Sequence, residues 1–102
     1  LVAEEQGEIT GYAGLYVSLE EGEITNVAVA PEERGRGTGQ RLVTELIRLA
    51  AECAVTRLVL EVRVSNDPAI RLYERCGFAI QGVRPGFYEL PKEDAYIMLY
   101  GQ

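Results

Sequence analysis

Histidine is absent from this 102-residue chain, and that one gap excludes histidine-dependent triads, histidine general bases and histidine metal ligands together. Cysteine is scarce as well. Cys53 and Cys76 are the only two, and their separation matches neither a Cys-x-x-Cys redox motif nor a zinc-ligand pair. Both are expected to be reduced, buried small hydrophobes in a cytoplasmic protein. Neither serine, Ser18 or Ser65, stands in a nucleophile-elbow context, which leaves hydrolase chemistry without a nucleophile.

No apolar run approaches the ~18 residues that span a bilayer. The chain opens on Leu1 with no basic stretch before an apolar one, so a secretory signal is not expected. The missing initiator Met gives the expectation that residues upstream belong to the same protein. Basic residues are the minority charge, 10 against 16 acidic for a net charge of -6. That balance argues against nonspecific binding to nucleic acid or to an anionic membrane surface, and it suits a cationic acceptor such as an amine or a basic peptide. What is present, 47% hydrophobic and 25% charged residues, is the composition of an ordered globular chain with one core. Residues 1–102 read as a single domain, without repeats or low-complexity segments.

Alternation and turn residues predict strands over 1–5, 8–19 and 23–30, with Gly11 and Gly14 marking a bulge or bend in the second. Leu42, Val43, Leu46, Ile47, Leu49, Ala50 and Cys53 recur at helical spacing, which predicts a helix over 38–53. Residues 57–64 read as a strand, with Leu58, Leu60, Val62 and Val64 on one face and Val59, Glu61 and Arg63 on the other. Asn66 or Asp67 caps a second helix that carries Pro68 in its first turn and stops at Gly77. Strands over 78–84 and 95–100 follow, joined by a loop over 85–94. A helix between the third and fourth strands is a crossover, so those two strands are expected to be parallel.

The stretch Arg34-Gly35-Arg36-Gly37-Thr38-Gly39 sits between the apolar run Val27-Ala28-Val29-Ala30 and the first helix. A helix N-terminus, glycines that admit close approach and neighbouring arginines together describe a phosphate cradle. Spacing excludes two familiar cradles. A dinucleotide fingerprint would need glycine where Gln40 stands, and no Gly-Lys-Ser/Thr follows for a P-loop. Arg34, Arg36 and Arg41 would supply a local positive field against the overall sign of the chain.

Arg34, Gly37 and Gly39, spaced as arginine, two residues, glycine, one residue, glycine, resemble the pyrophosphate-binding motif of the GNAT superfamily of acetyl-CoA-dependent N-acetyltransferases. Val64-Ser65-Asn66, Ala69-Ile70, Leu72-Tyr73-Glu74 and Gly77-Phe78 are similar to the segment that holds the coenzyme tail in that family. The resemblance covers the chain from its first strand onward and implies an α/β (or α+β) fold. That fold has a mixed, mostly antiparallel sheet with a splayed parallel pair and flanking helices, here without the family's usual N-terminal strand and two helices. It implies that acetyl-CoA binds at residues 34–39, along the backbone at Val27, Ala28 and Val29, and through Asn66. Tyr73, which could also be simple core packing, would protonate the leaving thiolate. Glu61, which could also be an ordinary polar residue of an alternating strand, would be the general base, since a central strand covered on both sides should be apolar.

Arg84, Phe87 and Tyr88, with Glu93-Asp94-Ala95 and Met98, resemble the acceptor loop of N-terminal protein acetyltransferases of the ribosomal-protein-alanine kind, with Phe87 in place of the first of a tyrosine pair. The resemblance thus implies direct acetyl transfer, with no metal and no acyl-enzyme, to a protein N-terminal amine. A small-amine acetyltransferase and a non-catalytic CoA-binding module are the alternatives.

Overall fold

The structure, a computed structural model, describes residues 2–5, 8–18, 21–29 and 37–101. Among these residues the elements run β1 (Val2–Glu5), β2 (Glu8–Ser18), β3 (Glu21–Val29), α1 (Thr38–Glu52), β4 (Arg57–Arg63), α2 (Asp67–Arg75), β5 (Ala79–Glu89) and β6 (Lys92–Tyr100). The strands form one six-stranded sheet in the order β1-β2-β3-β4-β6-β5. Every neighbouring pair is antiparallel except β3 and β4, which run parallel as a helical crossover requires. The predicted order of three strands, helix, strand, helix and two strands is the observed one.

Burial follows the alternation of β4. Leu58, Leu60 and Val62 lie in a core with Leu42, Val43, Leu46 and Ala50 of α1, Ile70 and Tyr73 of α2, and Ile24, Phe78 and Met98. Both helices therefore cover the same face of the sheet. Val59, Glu61 and Arg63 point to the opposite face, which no described helix covers. The expectation of a central strand covered on both sides is corrected for the described residues: among them helices pack on one face of β4, and its burial alternates accordingly.

Three further expectations change. Gly22, read as part of a turn, lies inside β3, where an added Cβ would come within 2.7 Å of Leu58 Cδ2. It is glycine because β4 packs directly against it. The loop expected over 85–94 is mostly strand. β5 runs to Glu89 and β6 starts at Lys92, with Pro85 and Gly86 absorbed in a register break between Arg84 and Tyr88, where the Gly86 amide donates to Asp94 Oδ1 at 2.8 Å. Cys53 is exposed and Cys76 only half-buried, since the chain leaves the helix at Cys53 and turns its side chain off the apolar stripe. The bulge expected near Gly11 and Gly14 is present as a shift in β2–β3 register between Tyr12 and Gly14.

Parallel pairing of β3 with β4 lasts for three residue pairs, from Glu21 opposite Arg57 to Glu23 opposite Val59. Beyond them β3 continues to Val29 and β4 to Arg63 without pairing. The sheet opens there into a V, flanked by the N-terminus of α1 and the start of α2.

Candidate active site

The two helices begin differently. α2 is capped by Asn66, whose Oδ1 accepts the Ala69 amide at 3.3 Å, and it carries Asp67 and a proline in its first turn. α1 begins at Gly37 with no side-chain cap and no acidic residue in its first turn. Its leading amides and the positive end of its dipole therefore lack the neutralising groups that α2 has. Gly37 adopts φ 80°, and among the described residues beyond its own chain neighbours a Cβ built on it would meet no atom within 4 Å. Open space in front of uncapped amides fits a bound phosphate.

Of the residues predicted for this cradle, Thr38 is buried, with its Oγ1 accepting from Arg41 Nη2 at 3.3 Å. It can offer a ligand its amide but not its hydroxyl. Gly39 follows within the first turn. Arg34, Gly35 and Arg36 lie outside the described residues. Gly37, Gln40, Arg41, Thr44 and Glu45 line an open hollow of ≈ 540 Å³ beside the cradle.

The predicted coenzyme strand, Val27-Ala28-Val29, lies in the unpaired stretch of β3, hydrogen-bonded to β2 on one side with Ala28 opposite Tyr12 and Val29 opposite Gly11. Val27 packs its side chain on the core. The other edge of this stretch faces the V, so its amides and carbonyls have no strand partner there and suit an amide-bearing chain. Asn66 stands at the far side of the V; its cap uses the carbonyl oxygen and leaves the amide nitrogen to donate elsewhere.

Glu61 is on β4 just past the point of splaying, and its side chain is only 12% exposed. Burial raises its pKa above the ordinary carboxylate range, and the Glu23 carboxylate adds to the rise, while Arg84, with Nη1 at 3.4 Å from Oε2, opposes it. A carboxylate that holds its proton more tightly is a stronger base. Sequence reasoning missed Glu23. The alternation of Glu21 and Glu23 reads as a solvated strand face, and only the parallel register, Glu23 beside Val59, places it next to Glu61.

Tyr73 is buried in the core on α2, its ring edge-on to Phe78 with centroids 6.0 Å apart. Burial, with a smaller contribution from the Tyr88 phenol, pushes its pKa up to about 12. The phenol is thus neutral and able to donate throughout the physiological range. Core packing and a retained phenolic proton are compatible at this residue.

The hairpin of β5 and β6 supplies the remaining wall. Tyr88 donates its phenolic hydrogen to the Glu61 carbonyl at 3.3 Å, reaching across the intervening β6. Phe87 stands edge-on to Tyr88 at 5.0 Å and lies under the Arg84 guanidinium at 5.4 Å. Glu61, Arg84, Phe87 and Tyr88 form a closed circuit of contacts. Asn66 and the α1 N-terminus do not touch this circuit; they line the V that leads to it. Among the described residues the chain thus offers uncapped helix amides, an unpaired strand edge, a buried carboxylate of raised pKa and a neutral phenol.

Known proteins share this fold. The sequence profile of the Acetyltransferase (GNAT) family matches residues 1–78. A Bacillus subtilis protein named as a candidate ribosomal protein bS18-alanine N-acetyltransferase is 42% identical over 98 residues, which is 96% of this chain and 65% of the relative. The crystal structure of the ribosomal-protein-S18-alanine N-acetyltransferase from Escherichia coli superposes with a TM-score of 0.87 at 36% identity, covering 96% of this chain and 64% of that one. A GNAT family acetyltransferase from Elizabethkingia anophelis with acetyl-CoA bound gives 0.91 at 26% identity, over 99% of this chain and 74% of that one. The chain thus spans a little under two thirds of the length of the first two. With a family profile over most of its length and relatives matched over nearly all of it, this chain belongs to the GNAT family of acetyltransferases.

Proposed function

We propose that residues 1–102 form one acetyltransferase unit that uses acetyl-CoA to acetylate a protein N-terminal amine, with the N-terminal alanine of a ribosomal protein as the acceptor that the relatives' names suggest. The observation that carries this reading is Glu61, a nearly enclosed carboxylate beyond the end of the parallel pairing, with Arg84 of the hairpin paired to it and the Tyr88 hydroxyl on its main-chain carbonyl.

Acetyl-CoA would place its pyrophosphate at the amides that open α1 and run its pantetheine along Val27-Ala28-Val29, within reach of Asn66. The acceptor arrives as an ammonium ion and must lose a proton before it can attack. Glu61 takes that proton, directly or through water, and the neutral amine attacks the thioester carbonyl carbon. The C–S bond then breaks, and the Tyr73 phenol protonates the departing thiolate. The same dry surroundings that raise the phenol's pKa raise that of a thiolate forming beside it, which keeps the two matched. Direct transfer needs no enzyme nucleophile: Cys53 is exposed at the end of α1, and burial raises the pKa of the Cys76 thiol and so disfavours its thiolate.

Incubation of the full-length protein with acetyl-CoA, an alanine-initiated peptide and a polyamine, followed by mass spectrometry, tests the reading. Acetylation of the peptide α-amine supports it. Acetylation of the polyamine with an untouched peptide moves the enzyme to the small-amine class, and coenzyme binding without transfer makes the chain a CoA-binding module.

A further inference from the structure

Arg63 ends β4 two residues after Glu61, so the two side chains share the face turned away from the helices. From its alternation alone it is a solvated strand residue. The structure places it otherwise. Its guanidinium donates to two successive carbonyls at the tip of the β5–β6 hairpin, Pro91 O at 2.8 Å and Leu90 O at 3.1 Å. Nη1 also meets Glu93 Oε1 at 3.2 Å, and the guanidinium carbon lies 4.2 Å from the centroid of the Tyr88 ring. The other oxygen of Glu93 accepts the Ser65 amide at 2.9 Å, which fastens the hairpin a second time to the segment that follows β4.

An isolated surface ion pair has one partner and sits mostly in water, and it contributes little. Arg63 and Glu93 are only 27% and 18% exposed, and two of the arginine's three hydrogen-bond acceptors are uncharged carbonyls of a single turn. Only a planar fork of donors can satisfy carbonyls, a carboxylate and a ring face at once. The ring it covers is Tyr88, whose hydroxyl reaches Glu61.

We propose that Arg63 is a positioning residue for the acceptor: it clamps the β5–β6 hairpin onto the end of β4 and so holds Phe87 and Tyr88 beside Glu61. The proposal rests on the reading of this hairpin as the acceptor wall. Among the described residues the partners of Arg63 are all in the β5–β6 hairpin, so its influence is expected on the acceptor rather than on the coenzyme.

The test uses the full-length protein with Arg63→Met, which keeps the apolar stem, and Arg63→Lys, which keeps the charge but not the fork. With the alanine-initiated peptide as acceptor, both variants raise the acceptor KM, Arg63→Met by about tenfold as loss of charged hydrogen bonds implies. kcat and the affinity for acetyl-CoA stay within about twofold of wild type. Adding Arg63→Met to Tyr88→Ala then costs little, since the clamp acts through the tyrosine. Equal losses for both substrates, or a full multiplicative loss in the double variant, overturn the proposal. Hydrogen exchange of amides 85–94 supplies a readout without acceptor. Faster exchange in Arg63→Met upholds the clamp even if no peptide is acetylated, in which case the acceptor assignment alone has failed; unchanged exchange refutes the clamp.

Discussion

At the scale of single residues, the ionisation of Glu61 is set by burial and two neighbours, whose effects have known signs. Burial and Glu23 raise its pKa and Arg84 lowers it. The acid limb of kcat/KM, which reports the free enzyme's base, is therefore expected above the ~4.3 of an ordinary glutamate. Glu23→Gln removes a like charge and moves that limb to lower pH; Arg84→Gln removes an opposite charge and moves it to higher pH. Shifts in the same direction in both variants would remove Glu61 as the titrating base. Glu61→Gln itself slows transfer most at neutral pH, and the loss shrinks as solvent deprotonates an amine of pKa ~7.7–8.0. Rates measured across that range check it. Tyr73→Phe keeps the ring against Phe78 and deletes the proton donor, so turnover falls about 10²- to 10⁴-fold while calorimetry finds acetyl-CoA binding intact. Turnover close to wild type would leave Tyr73 a packing residue.

Among the elements, α1 carries two separable duties. Its apolar stripe holds the sheet, and Leu46, 2% exposed among core residues, is expected to cost about 2–5 kcal/mol when cut to alanine. Exposed Cys53→Ser is expected within about ±0.5 kcal/mol; denaturant unfolding distinguishes the two. Its N-terminus is the proposed anion site. Gly37→Val puts a branched side chain at φ 80°, which L residues rarely adopt, so it strains the turn that presents the leading amides as well as filling the space before them, and acetyl-CoA affinity in a folded variant is expected to fall by about tenfold or more. Unchanged affinity by titration would take the pyrophosphate away from this turn. The helix was legible from spacing over 38–53, yet its last predicted apolar residue was not, because Cys53 fits the period and only the departing backbone turns it outward. The β5–β6 hairpin was misread for the opposite reason. Pro85 and Gly86 are strong breakers in isolation, but a register break lets the strand resume at Tyr88.

For the whole molecule, element order and the parallel pair could be reached from the sequence because hydrophobic period, caps and crossover rules agree, whereas the splay came only from the family resemblance. The relations that give the site its chemistry could not, because they join distant strands. Glu23 meets Glu61 through parallel register, and Tyr88 reaches Glu61 across β6. The short register of β3 with β4 also divides the sheet into two three-stranded halves, β1-β2-β3 and β4-β6-β5, whose strands pair directly through only three residue positions. That seam coincides with the proposed coenzyme groove. A ligand lying in it would splice the halves together and so behave as part of the fold. Saturating acetyl-CoA, at about 100 times its Kd, should then add about 2.7 kcal/mol to unfolding free energy by mass action. The gain in protection should concentrate at the amides of β3 and β4, making the cosubstrate the missing stretch of a sheet that the chain leaves unfinished.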